Sequence, residues 1–142
     1  MSMIRQFANA QLRLWLWAQG IPNVADNAVA APLNQLYVAL HTDDPGETGV
    51  QSTLEVAYPG YARVAVPRSA AGFSISDDVA SFANDVAFPA STGAGGTAKY
   101  FSIGTASSGA GSMWLRGTLT PNIGIASGVT PVVASETTMQ LQ

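Results

Sequence analysis

The stretch "LYVALHTDDPGETG", residues 36–49, decides how this chain is read. Its first residues follow a period of two, with Leu36, Val38 and Leu40 on one face and Tyr37, Ala39 and His41 on the other. The next four, Asp43, Asp44, Pro45 and Gly46, form a structural turn. Proline presets φ at one turn position and glycine accepts a positive φ at the next. The two aspartates can accept from nearby backbone amides. The stretch is therefore a strand that ends at a tight turn. Leu36, Val38 and Leu40 are its expected core face, and His41 is expected at the strand end, beside the turn.

The same grammar recurs downstream. Short runs rich in β-branched and aromatic residues alternate with Gly, Pro, Ser, Asn and Asp clusters. The expected strands are 36–42, 61–66, 73–75, 79–82, 85–88, 98–104, 112–119, 129–133 and 137–141. No helical pattern separates them, which speaks against parallel strands with crossover helices. Antiparallel sheets packed face to face are the natural outcome. The expected fold class is all-β: an antiparallel, jelly-roll-like β-sandwich with one N-terminal α-helix. Residues 1–35 are read as helix and connector, and residues 36–142 as the sandwich domain.

The helix is expected over residues 2–19, capped by Ser2 and stopped by Gly20 before Pro22. Ile4, Phe7, Ala8, Leu12, Trp15 and Leu16 fall on one face, while Leu14 and Trp17 lie off it. A helix apolar nearly all round needs cover on more than one side. Phe7, Leu12, Leu14, Trp15 and Trp17 are therefore the candidate partner-binding residues. Trp15 and Trp17 point in different directions, so one is expected to pack on its own β domain and the other on a partner.

Composition narrows the function classes. The 142 residues are 47% hydrophobic and only 11% charged, with a net charge of −3. About a quarter of residues are charged in an ordinary globular chain. So little charge over so much apolar matter suits a folded protein whose surface is partly covered by other subunits. Its six basic residues are scattered, which argues against nucleic acid. The longest apolar run near the start, residues 14–18, is too short for a membrane span. With no cysteine, disulfides and thiolate metal sites are excluded. The chain reads as made in the cytoplasm, with no membrane partner.

No catalytic constellation stands out. One histidine beside three turn carboxylates does not meet the needs of a zinc site. The spacing of "DDPGETG" does not wrap calcium, and no Gly-x-Ser-x-Gly elbow is present. Asp77, Asp78 and Asp85 qualify as glycosidase carboxylates only by residue type. The glycine loops at 89–97 and 105–112 lack the Lys-Ser or Lys-Thr pair of a phosphate loop and read as flexible hairpin connections. The expectation is a non-enzyme without metal or cofactor.

The ordered series "LYVALHTDDPGETG", "GYARVAV" (60–66), "VAFP" (86–89) and "YFSIGTASSGAG" (100–111) resembles a family of small tailed-phage virion structural proteins. Some members are labelled tail fibre proteins, and others are similar to head cement, or decoration, proteins. The resemblance implies a jelly-roll-like sandwich that works by binding other virion proteins. The first expectation is a decoration protein on the phage head. It would bind across neighbouring major capsid protein subunits and form homo-oligomers, dimers being favoured. The alternative is a tail-fibre or adhesin module that binds a host receptor, with Tyr58 and Tyr61 as exposed loop candidates.

Overall fold

The computed structural model describes residues 5–20 and 33–140. Ser2, Ile4 and most of the expected connector lie outside the described residues. The elements run in chain order: α1 (Arg5–Leu16), β1 (Gln35–His41), β2 (Val64–Pro67), β3 (Phe73–Ser76), β4 (Val79–Phe82), β5 (Val86–Ala87), β6 (Gly96–Gly104), β7 (Met113–Ile125), β8 (Val132–Val133) and β9 (Thr138–Gln140). Among the described residues the fold is all-β, with antiparallel sheets, one short N-terminal helix and no barrel. Each expected strand has a counterpart.

The chain divides into two compact units. The first holds Met1–Leu36, Val66–Asp85 and Ala134–Gln142, and the second holds Tyr37–Ala65 and Val86–Val133.

In the first unit, α1 packs on β3 of the antiparallel sheet β3-β4-β9. Ala8, Leu12 and Leu16 follow helical spacing and are buried, as are Phe73, Ala80 and Phe82. The Phe73 and Phe82 rings, cross-strand partners, lie 5.7 Å apart. The turn between β3 and β4 contains Asp77 at φ 55°, in the left-handed region that Asp enters more readily than most residues. Asp85 accepts from the Ser135 amide at 2.8 Å. Asp77 and Asp85, weighed above as acid–base candidates, thus serve a hairpin turn and a loop tie.

Helix α1 ends at Leu16, three residues before the expected end. The left-handed residue that turns the chain is Ala18, at φ 54°, and not Gly20. The Arg13 carbonyl accepts from both Trp17 and Gln19 amides. The reason lies far away in sequence. Arg68 donates to the carbonyls of Leu14, at 2.5 Å, and Trp15, and also to that of Leu33, at 3.1 Å. A guanidinium at a helix C-terminus satisfies orphan carbonyls and complements the negative end of the dipole. Arg68 is itself buried, and burial pushes its pKa down.

In the second unit, β1 pairs antiparallel with β6, and β6 with β7, in a sheet ordered β2-β1-β6-β7; a short β5-β8 pair stands beside them in sequence. Val38, Leu40, Phe88, Phe101, Ile103 and Val133 form its buried apolar set. Strand β7 runs six residues beyond its expected end, straight through Pro121. The β6·β7 register shifts between Ala98↔Ile123 and Tyr100↔Thr118, so Pro121 sits in a bulge on an edge strand. There its missing amide removes no ladder bond.

Candidate functional site

The period-two reading of β1 fails at its end. Ala39 and His41, expected to face away from the core, are as fully buried as Leu40, each 0% exposed. Residues 54–56 pair along the edge of β1 opposite β6: Thr42 N donates to Leu54 O at 2.8 Å and Val56 N to Leu40 O at 3.0 Å, which brings the Thr53 carbonyl to the His41 ring. His41 is thus flanked by β6 on one side and by Glu55 on the other.

Both ring nitrogens of His41 are engaged. Nδ1 lies 2.8 Å from the Thr53 carbonyl and Nε2 lies 2.7 Å from Ser102 Oγ. A carbonyl can only accept, so Nδ1 carries the proton and Nε2 accepts from the Ser102 hydroxyl. Burial pushes the His41 pKa down, partly countered by the bond to Thr53. A serine hydroxyl on an oriented imidazole has the contact of a nucleophile–base pair. Here Ser102 is itself 0% exposed, in the middle of β6 between Ala39 and Arg116. The pair is enclosed by the sheet, and its bonds fix β1, β6 and the 50–55 turn to one another.

Next to it lies a second buried group. Arg63 donates from Nε and Nη2 to the two oxygens of Glu55, each at 2.7 Å. This bidentate pair is the strong geometry for such groups. The Arg63 side chain is 2% exposed, and its pKa is raised, first by the Glu55 bond. Tyr61 also donates to Glu55, at 2.7 Å, while its oxygen accepts from the Leu40 amide. Burial pushes the Tyr61 phenol strongly up. The remaining guanidinium bonds reach the β6–β7 hairpin, at Ala106 O (2.9 Å) and Gly109 O (2.6 Å). Gln51, 0% exposed, closes the same hairpin: its amide group donates to Tyr37 O and accepts from Ala106 N, both at 3.0 Å. A Cβ on Gly104 or Gly111 would come within 2.3 and 2.5 Å of the Gln51 side chain, so glycine at both positions makes room for it. The glycine loop at 105–112, expected to be a flexible connection, is therefore clamped by a buried polar network.

After β1 the two aspartates bond nearby backbone amides. Asp43 Oδ1 accepts from Asp44 N and Asp44 Oδ1 from Gly46 N, both at 2.9 Å. Asp44 also pairs with Arg116 at 2.7 Å. Gly46 has φ 74°, and a Cβ there would meet nothing within 4 Å. Gly46→Val is expected to lower stability by about 1 kcal/mol, through the backbone alone. A urea melt measures it.

Leu54 is a sharper anomaly. It has φ 53° and is 51% exposed, in a turn whose flanking carbonyls are held by His41 and Thr42. The left-handed conformation costs an L-residue about 1–2 kcal/mol. Glycine returns roughly 0.5–1 kcal/mol of that as unfolded-chain entropy. Leu54→Gly is therefore expected to raise stability, by roughly 0.5–1 kcal/mol, read as a higher denaturation midpoint.

The tyrosines expected in exposed loops are otherwise placed. Tyr58 is buried, donating to Pro89 O at 2.7 Å, and its ring meets Tyr61 edge-on. Tyr61 stacks on Phe88 and is tied to Glu55. Neither presents an open aromatic platform, because both phenols are spent inside the unit.

The helix residues proposed for a partner fall in different places. Leu12 is buried in its own unit, Leu14 is half-buried and Trp15 is 36% exposed. Trp17 donates its indole N–H to Phe73 O at 2.9 Å, with the Arg13 guanidinium 4.5 Å above its ring. The Phe7 side chain lies outside the described residues. Trp15, placed by spacing on the inward face, is thus the more exposed tryptophan, and Trp17 is the one tied to a strand. Among the described residues no cluster of His, Asp and Glu could hold a metal, and no helix is long and apolar enough to cross a membrane.

Sequence reasoning missed Gln51, Glu55, Arg63 and Ser102. One signal was available: Tyr61 and Arg63, two apart in "GYARVAV", fall on one side of an extended segment, and both reach Glu55.

No curated protein matches the chain. The family described as podophage GP4 fiber I protein gp80 matches residues 17–140, which takes in the Trp17 tether, the His41 and Arg63 networks and all nine strands of the described residues. On that match the chain belongs to the podophage GP4 fiber I protein gp80 family and is a tailed-phage virion structural protein.

Proposed function

We propose that the protein is a fibre component of a short-tailed phage virion, and that it works by holding protein surfaces together. The observation that carries this reading is the family match over residues 17–140, whose description is that of a fibre protein. The site geometry supports it. The buried polar groups are spent on one another, with no buried side-chain N or O left without a partner among the described residues. Such a network specifies one rigid arrangement of turn and hairpin, which suits a docking module better than a reaction centre. On this reading the protein is not an enzyme and needs no cofactor.

The head-decoration reading, with the major capsid protein as partner, keeps one specific observation in its favour. A surface with so few charges buries readily against an apolar seam, because little has to be desolvated, and Trp15 and Leu33 are large apolar residues exposed to solvent. Labelled antibody against this chain, imaged on intact virions by electron microscopy, separates the two. Label at the tail supports the fibre, and label spread over the head replaces it with decoration.

A further inference from the structure

Strand β7 carries an exposed aromatic ring among polar side chains. Trp114 is 40% exposed, and Arg116, Thr118 and Thr120 are exposed after it, while the residues between them are more covered. Alternate residues of a strand share one face, so these four line a single face over roughly 20 Å. Trp114 stands where the β6·β7 register shifts. Leu115 pairs with Ile103 and Met113 with Gly104, which leaves Trp114 as the extra residue of a bulge. Bulges re-aim side chains and gather beside working sites. Half-buried Tyr100 stands opposite Thr118 on the same face. A lone exposed apolar residue is ordinary on a folded protein. What sets Trp114 apart is its company and its support.

The company is polar but balanced. Arg116 Nη1 donates to Asp44 Oδ1 at 2.7 Å, and the two side chains are 31% and 41% exposed. A guanidinium has further N–H donors and a carboxylate a second oxygen, so both keep bonding capacity. Lys99 of β6 lies 3.9 Å from Asp43. The face thus offers a flat ring, donors, acceptors and hydroxyls, with its cations compensated. Nucleic acid and other polyanions need clustered, uncompensated cations. A neutral sugar needs what is here: its ring has an apolar C–H face that stacks on an aromatic, and a rim of hydroxyls that donate and accept. We infer that this face of β7 binds a neutral saccharide chain, with one pyranose ring stacked on Trp114 and its hydroxyls bonded to the Arg116–Asp44 pair and to Thr118. The support is rigid. Gln51 N donates to Gly111 O at 2.9 Å, and Gln51 and Arg63 clamp the hairpin from which Trp114 emerges. A platform already ordered loses little freedom on binding. The site goes beyond the fibre reading, and it is tested on the purified chain, whatever the virion location proves to be.

The experiment follows the indole N–H resonances of the full, isotope-labelled chain while cellohexaose, maltohexaose or chitohexaose is added, with oligogalacturonate as the anionic counterpart. The chain has three tryptophans, so Trp15 and Trp17 serve as internal controls. Titration calorimetry measures Trp114→Phe, Trp114→Ala and Arg116→Ala, and circular dichroism establishes that each is folded. At least one neutral hexasaccharide is expected to shift the Trp114 resonance saturably and to leave the other two in place. Trp114→Ala is expected to weaken binding by about tenfold or more. Trp114→Phe keeps a ring and weakens it less, and Arg116→Ala weakens it by removing donors. Oligogalacturonate is expected to bind more weakly than the neutral chain. No Trp114 shift with any of the neutral hexasaccharides overturns the inference. So does a shift shared by all the indoles, binding left unchanged by Trp114→Ala or by Arg116→Ala, or tighter binding of the anionic chain.

Discussion

Glu55→Ala is expected to destabilise the fold by about 3 kcal/mol or more, the largest single-residue effect in this protein outside its apolar core. The Arg63 side chain is 2% exposed and gives two of its bonds to that carboxylate. Without Glu55 the guanidinium stays charged, because an arginine does not shed its proton in this range. It is then left as a buried cation facing only the Ala106 and Gly109 carbonyls. Tyr61 loses the acceptor for its hydroxyl at the same time. Removing both charges, as Glu55→Leu with Arg63→Met, is expected to destabilise less than the two single changes added together, since no unpaired charge remains. The double variant still falls below the wild type, because two hairpin carbonyls lose their donors. Urea denaturation at neutral pH measures all five proteins: the wild type, Glu55→Ala, the two single changes of the pair and the double variant. A Glu55→Ala variant within 1 kcal/mol of the wild type would mean that water reaches Arg63 and that the network is looser than its geometry.

The second large effect is a loss of stability in mild acid. Burial holds the His41 pKa below its ordinary 6.5, so as pH falls the unfolded chain takes up the proton first. The stability contributed by neutral His41 is whole above about pH 6.5. It declines below that, at up to about 1.4 kcal/mol per pH unit, until the pH passes the folded-state value. The charged groups near the ring act in opposite senses, Glu55 favouring the imidazolium and Arg63 opposing it. A protonated ring would also turn Nε2 from an acceptor into a donor against the Ser102 hydroxyl. Urea midpoints from pH 7.5 down to 5 are expected to fall in the wild type and to flatten in His41→Gln. Asp85 acts in a separate window. Its pKa is lowered, chiefly by the Ser135 amide, so its contribution holds above the ordinary 3.8 and is lost only below it. A midpoint that stays level between pH 6.5 and 5 would contradict the burial of His41.

The virion role and the polar network bear on each other. A virion component is exposed to forces on its loops, and a loop held by Arg63 and Gln51 resists them better than one held by its own backbone. That is also why the glycine-rich composition of residues 105–112 misleads when read alone: a glycine beside a buried side chain can mark close packing as readily as freedom.

What the sequence determined by itself was local. Period-two alternation and β-branched runs located the nine strands of the described residues, because strand preferences act within a few residues. The absence of helical spacing between strands settled that they run antiparallel. Tertiary structure decided whatever depended on residues distant in the chain. His41 is buried where the Thr53 carbonyl and the Ser102 hydroxyl close on its ring, and neither is near it in sequence. Helix α1 stops at Leu16 because Arg68, more than fifty residues later, takes the carbonyls that a further turn would have used. Strand β7 outruns its expected end because a bulge against β6 accommodates Pro121. Glu55, Arg63, Gln51 and Ser102 are unremarkable as letters, and they become a site only when the fold removes water from all of them together. Desolvation is a property of the packed chain, so no local pattern announces it.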